Sequence, residues 1–203
     1  MTRCLMLDVD GVVVNGRPED GKPWATDIGR DLGIEPALLQ EKFFAPHWTD
    51  IVIGRKDLLE VLAACLPVLS PSVSAERFIA YWFEKDARLD ESVLAACDTL
   101  RDEGWRIFLA TNQEHLRARH LMEQLALRDH VDGMVYSAAV AARKPERAFF
   151  DAASERSGAD PDKILLVDDS EANVVAARDA GWAARHWSEG DDLLALLEQQ
   201  QAG

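Results

Sequence analysis

Two apolar runs in this chain read as strands buried on both faces, and each delivers a pair of carboxylates at its end. The first lies in residues 1–15, MTRCLMLDVDGVVVN, and breaks at Asp8-Val9-Asp10-Gly11. The second, Ile164 to Val167, breaks at Asp168-Asp169-Ser170. Strands with no wet face belong to parallel sheets covered by helices. Brought together, the two acid pairs repel, and a cation removes that cost. Oxygen-rich carboxylate clusters suit Mg²⁺, with phosphate and water completing the octahedron. The chain therefore reads as a metal-dependent enzyme acting on phosphate.

The remaining patterns surround these strands. Residues 15–23, NGRPEDGKP, form a turn-rich loop. Residues 24–32 read as a short helix stopped by Gly33, and residues 36–44 as a helix opened by Pro36. In residues 55–66, Leu58, Leu59, Leu62 and Leu66 make one stripe that halts before Pro67. Residues 74–85 put Phe78, Ile79, Trp82 and Phe83 on one face behind a Ser74 N-cap. Residues 17–88 thus read as an inserted helical unit between two parts, 1–16 and 89–203, of one core.

Strands and helices then alternate. Asp90 caps a helix through Arg101, ended by Gly104, and a strand spans 105–110. Thr111-Asn112 opens a helix to about Leu127, and a strand spans 133–137. Lys144-Pro145 precedes a helix to Ser157, followed by a strand at 163–167. A helix at 171–180 stops at Gly181, and a strand at 182–186 and a helix at 191–200 close the chain. Short connections between such elements imply right-handed crossovers and an open parallel sheet. Ligands of such sheets sit beyond the strands' carboxyl ends. Asp8, Asp10, Thr111, Asn112, Lys144, Asp168 and Asp169 all fall there.

Charge narrows the substrate. The 203 residues carry a net charge of −14, which speaks against a nucleic-acid binder, since that function needs a basic face. An anionic substrate must be received by local positive charge instead. Cys4, Cys65 and Cys97 show no metal spacing or even disulfide framework, and buried free thiols suit a reducing cytoplasm. No apolar run is long enough to cross a membrane, and no signal-like segment precedes Asp8. The expected location is cytoplasmic, and the oligomeric state is not legible.

Phosphoryl transfer needs a nucleophile, a proton donor for the leaving group and compensation for phosphoryl charge. Asp8 is the natural nucleophile. Asp10, two residues on in an extended chain, points to the same side and can protonate the leaving oxygen, then deprotonate water. Gly11 permits a sharp turn. Thr111 offers a hydroxyl, and Thr111 and Asn112 offer backbone N–H groups to the phosphate. Lys144 steadies phosphate and nucleophile. Asp168 and Asp169 complete a Mg²⁺ site with Asp8 and the backbone carbonyl of Asp10.

Taken in order, DVDGV at 8–12, Thr111-Asn112, Lys144-Pro145 and VDDS at 167–170 resemble the four motifs of the haloacid dehalogenase (HAD) superfamily. EANVVAARDAGW at 171–182 resembles that family's segment after the last motif, and residues 17–88 resemble the helical C1 cap of its subfamily I. The resemblance implies an α/β fold: a Rossmann-like, doubly wound parallel sheet with an inserted all-helical cap. It further implies Mg²⁺, an aspartyl-phosphate on Asp8, acid/base chemistry at Asp10, and a mobile cap that selects a small phosphorylated metabolite, sugar phosphates included. The family's dehalogenases lack an acid at the position of Asp10. A phosphomutase on the same fold is the alternative enzyme. A phospho-receiver module is disfavoured, because there the acid pair comes early and the lysine last.

Other candidates are weaker. Gly16-x₄-Gly21-Lys22 imitates a phosphate loop, but Pro23 replaces the hydroxyl residue that loop needs. His115 and His120 lie off one helical face, and read as surface or half-buried. Trp82 and Phe83 read as core of the helical unit. Arg55 is equally a solvated helix start or a phosphate ligand.

Overall fold

The computed structural model describes residues 3–198. Its central strand, β1 (Cys4–Leu7), is buried at every position. Beyond Asp10 the chain curls at once: the N–H groups of Val12, Val13 and Val14 all point to the carbonyl of Val9. Val12, Val13 and Val14 are all buried, so the apolar run after Gly11 anchors a tight turn and does not extend the strand.

The stretch resembling a phosphate loop is an ion-paired turn. Buried Arg17 donates through Nη1 to Asp27 at 2.6 Å and through Nε to Asp20 at 2.8 Å. Helix α1 (Ile28–Leu32) is shorter than expected, since residues 24–27 are turns. Gly33, at φ 65°, closes it in the left-handed region where glycine is at ease. Helix α2 (Pro36–Leu39) begins at Pro36 as expected but does not end at Phe44. A wider π-turn, Gln40–Phe44, carries it into α3 (Ala45–Val52). Pro46 lies just beyond this π-turn, and the Lys42 carbonyl that its missing N–H leaves free accepts from Cys65 Sγ at 3.4 Å.

Helix α4 (Leu58–Leu69) is capped by Asp57 and runs through Pro67. Pro67 removes a bond to the carbonyl of exposed Ala63, which water can satisfy, while buried Leu69 holds the last turn down. Leu59 leaves the expected stripe and is 36% exposed. Helix α5 (Ala75–Lys85) starts at its Ser74 cap, whose hydroxyl accepts from the Arg77 N–H at 3.2 Å. Together α1–α5 bury a cluster of their own around Ile34, Phe43, Leu62 and Phe78, with Trp82 and Phe83 inside it as expected.

Helix α6 (Glu91–Asp102), capped by Asp90, returns the chain to the sheet. There follow β2 (Arg106–Thr111), α7 (His115–Glu123), β3 (Gly133–Tyr136), α8 (Ser137–Val140), α9 (Arg147–Ser157), β4 (Ile164–Asp168), α10 (Glu171–Asp179), β5 (Ala183–His186) and α11 (Leu193–Glu198). The expected end of the last helix, at Gln200, lies outside the described residues. The five strands are parallel in the order β3-β2-β1-β4-β5. Leu5, Leu7, Ile107, Leu109, Leu165 and Val167 pack on one face against α6 and α11. Cys4, Met6, Phe108, Ala110, Ile164 and Leu166 pack on the other against α9 and α10. This is the Rossmann-like α/β layering expected from the alternation. Strand order reverses between β1 and β4, which opens a crevice beyond their C-terminal ends.

Cys4, Cys65 and Cys97 are free thiols. Among the described residues no helix is long and apolar enough to cross a membrane.

Candidate active site

The Asp8 N–H donates to the Val167 carbonyl at 2.9 Å, holding residue 8 beside β4 at the crevice. The β strands run one residue later than expected at β2 and β4, so Thr111 and Asp168 are the last members of their strands. Helix α7 begins at His115, not at Asn112; Glu114 caps it, and Asn112 lies in the connecting loop. The phosphate contact expected of Asn112 is through its backbone N–H; its side chain has a separate task. Its Oδ1 accepts from the Lys144 N–H at 2.8 Å and its Nδ2 donates to the Lys144 carbonyl at 3.0 Å. That reciprocal pair holds the Lys144 backbone, followed by a cis peptide to Pro145.

Lys144 Nζ sits 2.9 Å from Asp8 Oδ1 and 2.5 Å from Asp168 Oδ2, with its side chain 1% exposed. A buried ammonium survives only with such partners. Burial alone works against the charged lysine, but the two carboxylates outweigh it and hold Lys144 above the usual range. Asp8 is pushed up to about 7 by burial, which the Lys144 charge opposes and the Asp168 and Asp10 charges reinforce.

Asp168 is fully committed. Besides Lys144, its Oδ1 accepts from the Ser170 N–H and from Asn173 Nδ2, each at 2.9 Å. Asp169 is exposed, and its carboxylate accepts no hydrogen bond from another described residue. It leans over Gly11, at φ +83°, where a built Cβ would lie 2.4 Å from Asp169 Oδ2. The left-handed backbone at this point is what calls for glycine. Burial, with the Asp168 charge, raises the Asp169 carboxyl.

Carboxylate oxygens of Asp8, Asp168 and Asp169 lie within 4.8 Å of one another. The donor set is all hard oxygen, as a divalent cation such as Mg²⁺ prefers. One uncommitted acid, Asp169, and one oxygen of Asp8 free of hydrogen bonds leave room for ligation. Thr111 Oγ1 is buried beside them without a partner. A buried hydroxyl lacking an acceptor fits an anion that the site would receive.

The Asp10 carboxylate stands apart from this group. It opens on the cleft, and Gln113 Nε2 donates to its Oδ2 at 2.8 Å. The protein around it raises its carboxyl, against the charge of buried Arg117 and the Gln113 bond. Arg117 itself reaches Asp86 Oδ2 at 3.3 Å, at the C-terminal end of α5. This ties α5 to the core, while the Ser137 hydroxyl, 2.5 Å from the Val52 carbonyl and 3.1 Å from that of Gln113, ties the end of α3 to it.

The seven residues singled out in the sequence thus meet at one crevice. Gln113, Asn173 and Arg117 were not foreseen. Gln113 directly follows Thr111-Asn112, and Asn173 follows the acid pair within the EAN segment, so their neighbours carried a signal. Arg117 had none, because an arginine in a helical pattern reads as solvated. Arg55 stays outside: it is exposed, 4.0 Å from Asp50. His115 is exposed, and His120 is half-buried against Phe83, ring centroids 5.0 Å apart.

Residues 2–181 match the family described as haloacid dehalogenase-like hydrolase. The chain belongs to that family. This HAD-like hydrolase is 27% identical over 197 residues to a phosphoglycolate phosphatase of Rhodospirillum rubrum, across 89% of this chain and 77% of the relative. A phosphoglycolate phosphatase of Cereibacter sphaeroides is 28% identical over 193 residues, across 92% and 85%. Among solved structures, a HAD family enzyme from Bacteroides thetaiotaomicron in complex with magnesium and inorganic phosphate superposes with a TM-score of 0.80. It is 21% identical and covers 97% of this chain and 99% of its own. L-2-haloacid dehalogenase from Xanthobacter autotrophicus gives a TM-score of 0.66 at 18% identity, across 100% and 84%. These structural likenesses establish a shared fold.

Proposed function

We propose that this HAD-like hydrolase is a Mg²⁺-dependent phosphatase of a small phosphorylated metabolite, working through an aspartyl-phosphate on Asp8. The separation of the two acids carries this reading. Asp8 is gripped at Oδ1 by Lys144 and by the Val9 N–H at 2.7 Å, while Asp10 is turned away onto Gln113. One carboxylate is held for attack, and the other is held for proton transfer.

In the first step the Asp8 carboxylate attacks phosphorus, the bond to the leaving oxygen breaks, and Asp10 gives that oxygen its proton. In the second, Asp10 takes a proton from the water that attacks phosphorus, and Asp8 is released. Thr111 and the backbone N–H groups of the adjoining loop bind phosphoryl oxygens, and Lys144 keeps the nucleophile oriented. Asn112 serves by fixing Lys144. Asp8, the Asp10 carbonyl, Asp168 and Asp169 would hold Mg²⁺, with Asp169 the direct ligand of the second pair because Asp168 is already committed. The ion supplies charge neutralisation for carboxylates and phosphate. Residues 17–88 act as the C1-type cap over a core of 1–16 and 89–203.

The decisive test is phosphate release from acetyl phosphate. Release in Mg²⁺ that a chelator abolishes and added Mg²⁺ restores is expected, and no release in Mg²⁺ would refute the proposal. Within the same assay, Gln113→Leu removes the donor that aims Asp10. Its kcat is expected to drop about 10- to 100-fold, a typical share for acid/base positioning. An unchanged kcat would remove Gln113 from that role.

A further inference from the structure

Above Asp10 lies a cavity of about 480 Å³, between the core turn after β1 and helices α3 and α5. That is a volume typical of small-molecule sites. Its wall is paved by Trp24, Phe44, Trp48 and Trp82. The rings pack on one another, Trp24 stacked on Trp82 at 5.0 Å and 23°, Trp48 at 5.6 Å and Phe44 at 5.9 Å from Trp82. Trp24, Phe44 and Trp48 are only partly buried, so they offer ring surface to the space over Asp10. Among the described residues, the charged ones lining the cavity are Asp10 and Asp86, with no Lys, Arg or His.

A leaving group in this cavity leaves through Asp10, so the wall selects it. A carboxylate-bearing alcohol such as glycolate finds no Lys, Arg or His among the described lining residues to receive its second charge, and leaves the ring surface uncovered. A sugar can lay a C–H face on a ring but needs partners for its several hydroxyls, and the polar side chains lining the cavity are Asp10, Asn15 and Asp86. A cationic head would require ring faces converging around it, as in an aromatic cage. Here the rings are closed on each other and form a continuous wall. Asp86 is already paired with Arg117 from behind. A flat, uncharged ring suits such a wall by offset or edge-to-face contact.

We infer that the substrate is a phosphomonoester of an uncharged aromatic or heteroaromatic alcohol, with Trp24, Phe44, Trp48 and Trp82 as its specificity wall. This rests on the phosphatase reading above. Hydrolysis transfers the phosphoryl group to Asp8 and then to water, and the aromatic alcohol leaves carrying the proton from Asp10.

The test compares acetyl phosphate, phosphoglycolate, glucose 6-phosphate, phosphocholine and benzyl phosphate on the full chain with Mg²⁺. Benzyl phosphate is the informative probe, because its alkoxide leaves no more readily than those of the other alcohols. Its kcat/KM is expected to exceed those of phosphoglycolate, glucose 6-phosphate and phosphocholine by tenfold or more. Trp48→Ala is expected to lower the ratio of benzyl phosphate to acetyl phosphate kcat/KM at least tenfold, chiefly through KM. The wild-type series stands without that variant if it fails to fold. Turnover of acetyl phosphate with phosphoglycolate, glucose 6-phosphate or phosphocholine equal to or above benzyl phosphate overturns the aromatic assignment and leaves the phosphatase reading intact. No turnover of any probe overturns both.

Discussion

Asp8→Asn is expected to lower phosphate release by about 10⁴-fold or more, the scale on which loss of a covalent nucleophile acts. The amide cannot attack phosphorus, and Asp10 stands outside the carboxylate group around Lys144 and cannot take its place. The fold is expected to survive, and its pH response shows why the loss is chemical. Burial, opposed by Lys144, raises the Asp8 carboxyl from 3.8 to about 7. A carboxyl raised on folding supports the fold while protonated. That support is complete below the unfolded value and gone once pH has passed the folded one. The wild type therefore loses stability relative to Asp8→Asn as pH climbs from about 4 to about 7. Melting curves without divalent cation should show the variant's advantage widening between pH 5 and pH 7.5 and then levelling. A variant that unfolds at every pH, or one that retains turnover, would contradict the assignment.

Lys144→Met is the second large effect, and it acts on stability and activity together. The substitution keeps the unbranched stem of the side chain but removes the ammonium that lies between Asp8 and Asp168. Two buried carboxylates would then face each other without compensation. Breaking a buried ion pair at one partner costs about 3–5 kcal/mol. For a chain of this length that is a fall in Tm of roughly 10 °C, together with loss of phosphate release. Asp168→Asn in the same chain removes one of the stranded charges. The double variant is expected to regain much of the lost Tm while remaining inactive. A Tm unchanged in the single variant would show that the triad does not hold the crevice together.

Much of this was visible in the residues. Apolar runs without alternation announced strands covered on both faces, and their acid endings announced a shared charge problem. The N-caps at Ser74 and Asp90 and the stop at Gly33 form where local chemistry places them. Local rules misjudged the helical unit. Pro67 is the usual signal for a stop, yet α4 continues because its last turn is anchored by buried Leu69 and its lost bond faces water. Leu59 was misassigned for a related reason, since a stripe drawn from spacing alone does not know where the partner helices lie.

Asn112 shows where the sequence falls silent at the site. Its place after a strand end suggested a backbone N–H for phosphate, and nothing local told that its side chain would bind the backbone of Lys144, in a loop beyond β3. The two acids of the second pair look alike in one dimension. They are distinguished only when Lys144, Ser170 and Asn173 converge on Asp168 and leave Asp169 uncommitted. The aromatic wall is the extreme case, because Trp24, the Phe44–Trp48 pair and Trp82 come from three separate parts of the chain.

By itself, then, the sequence determined the layered α/β architecture, the family and the residues at the strand ends, because burial pattern and strand-end chemistry are properties of consecutive residues. Only the tertiary structure decided which carboxylate is committed, which is free, and what surface overlooks Asp10. Those are matters of distance between side chains from different elements, and distance depends on how helices and strands pack.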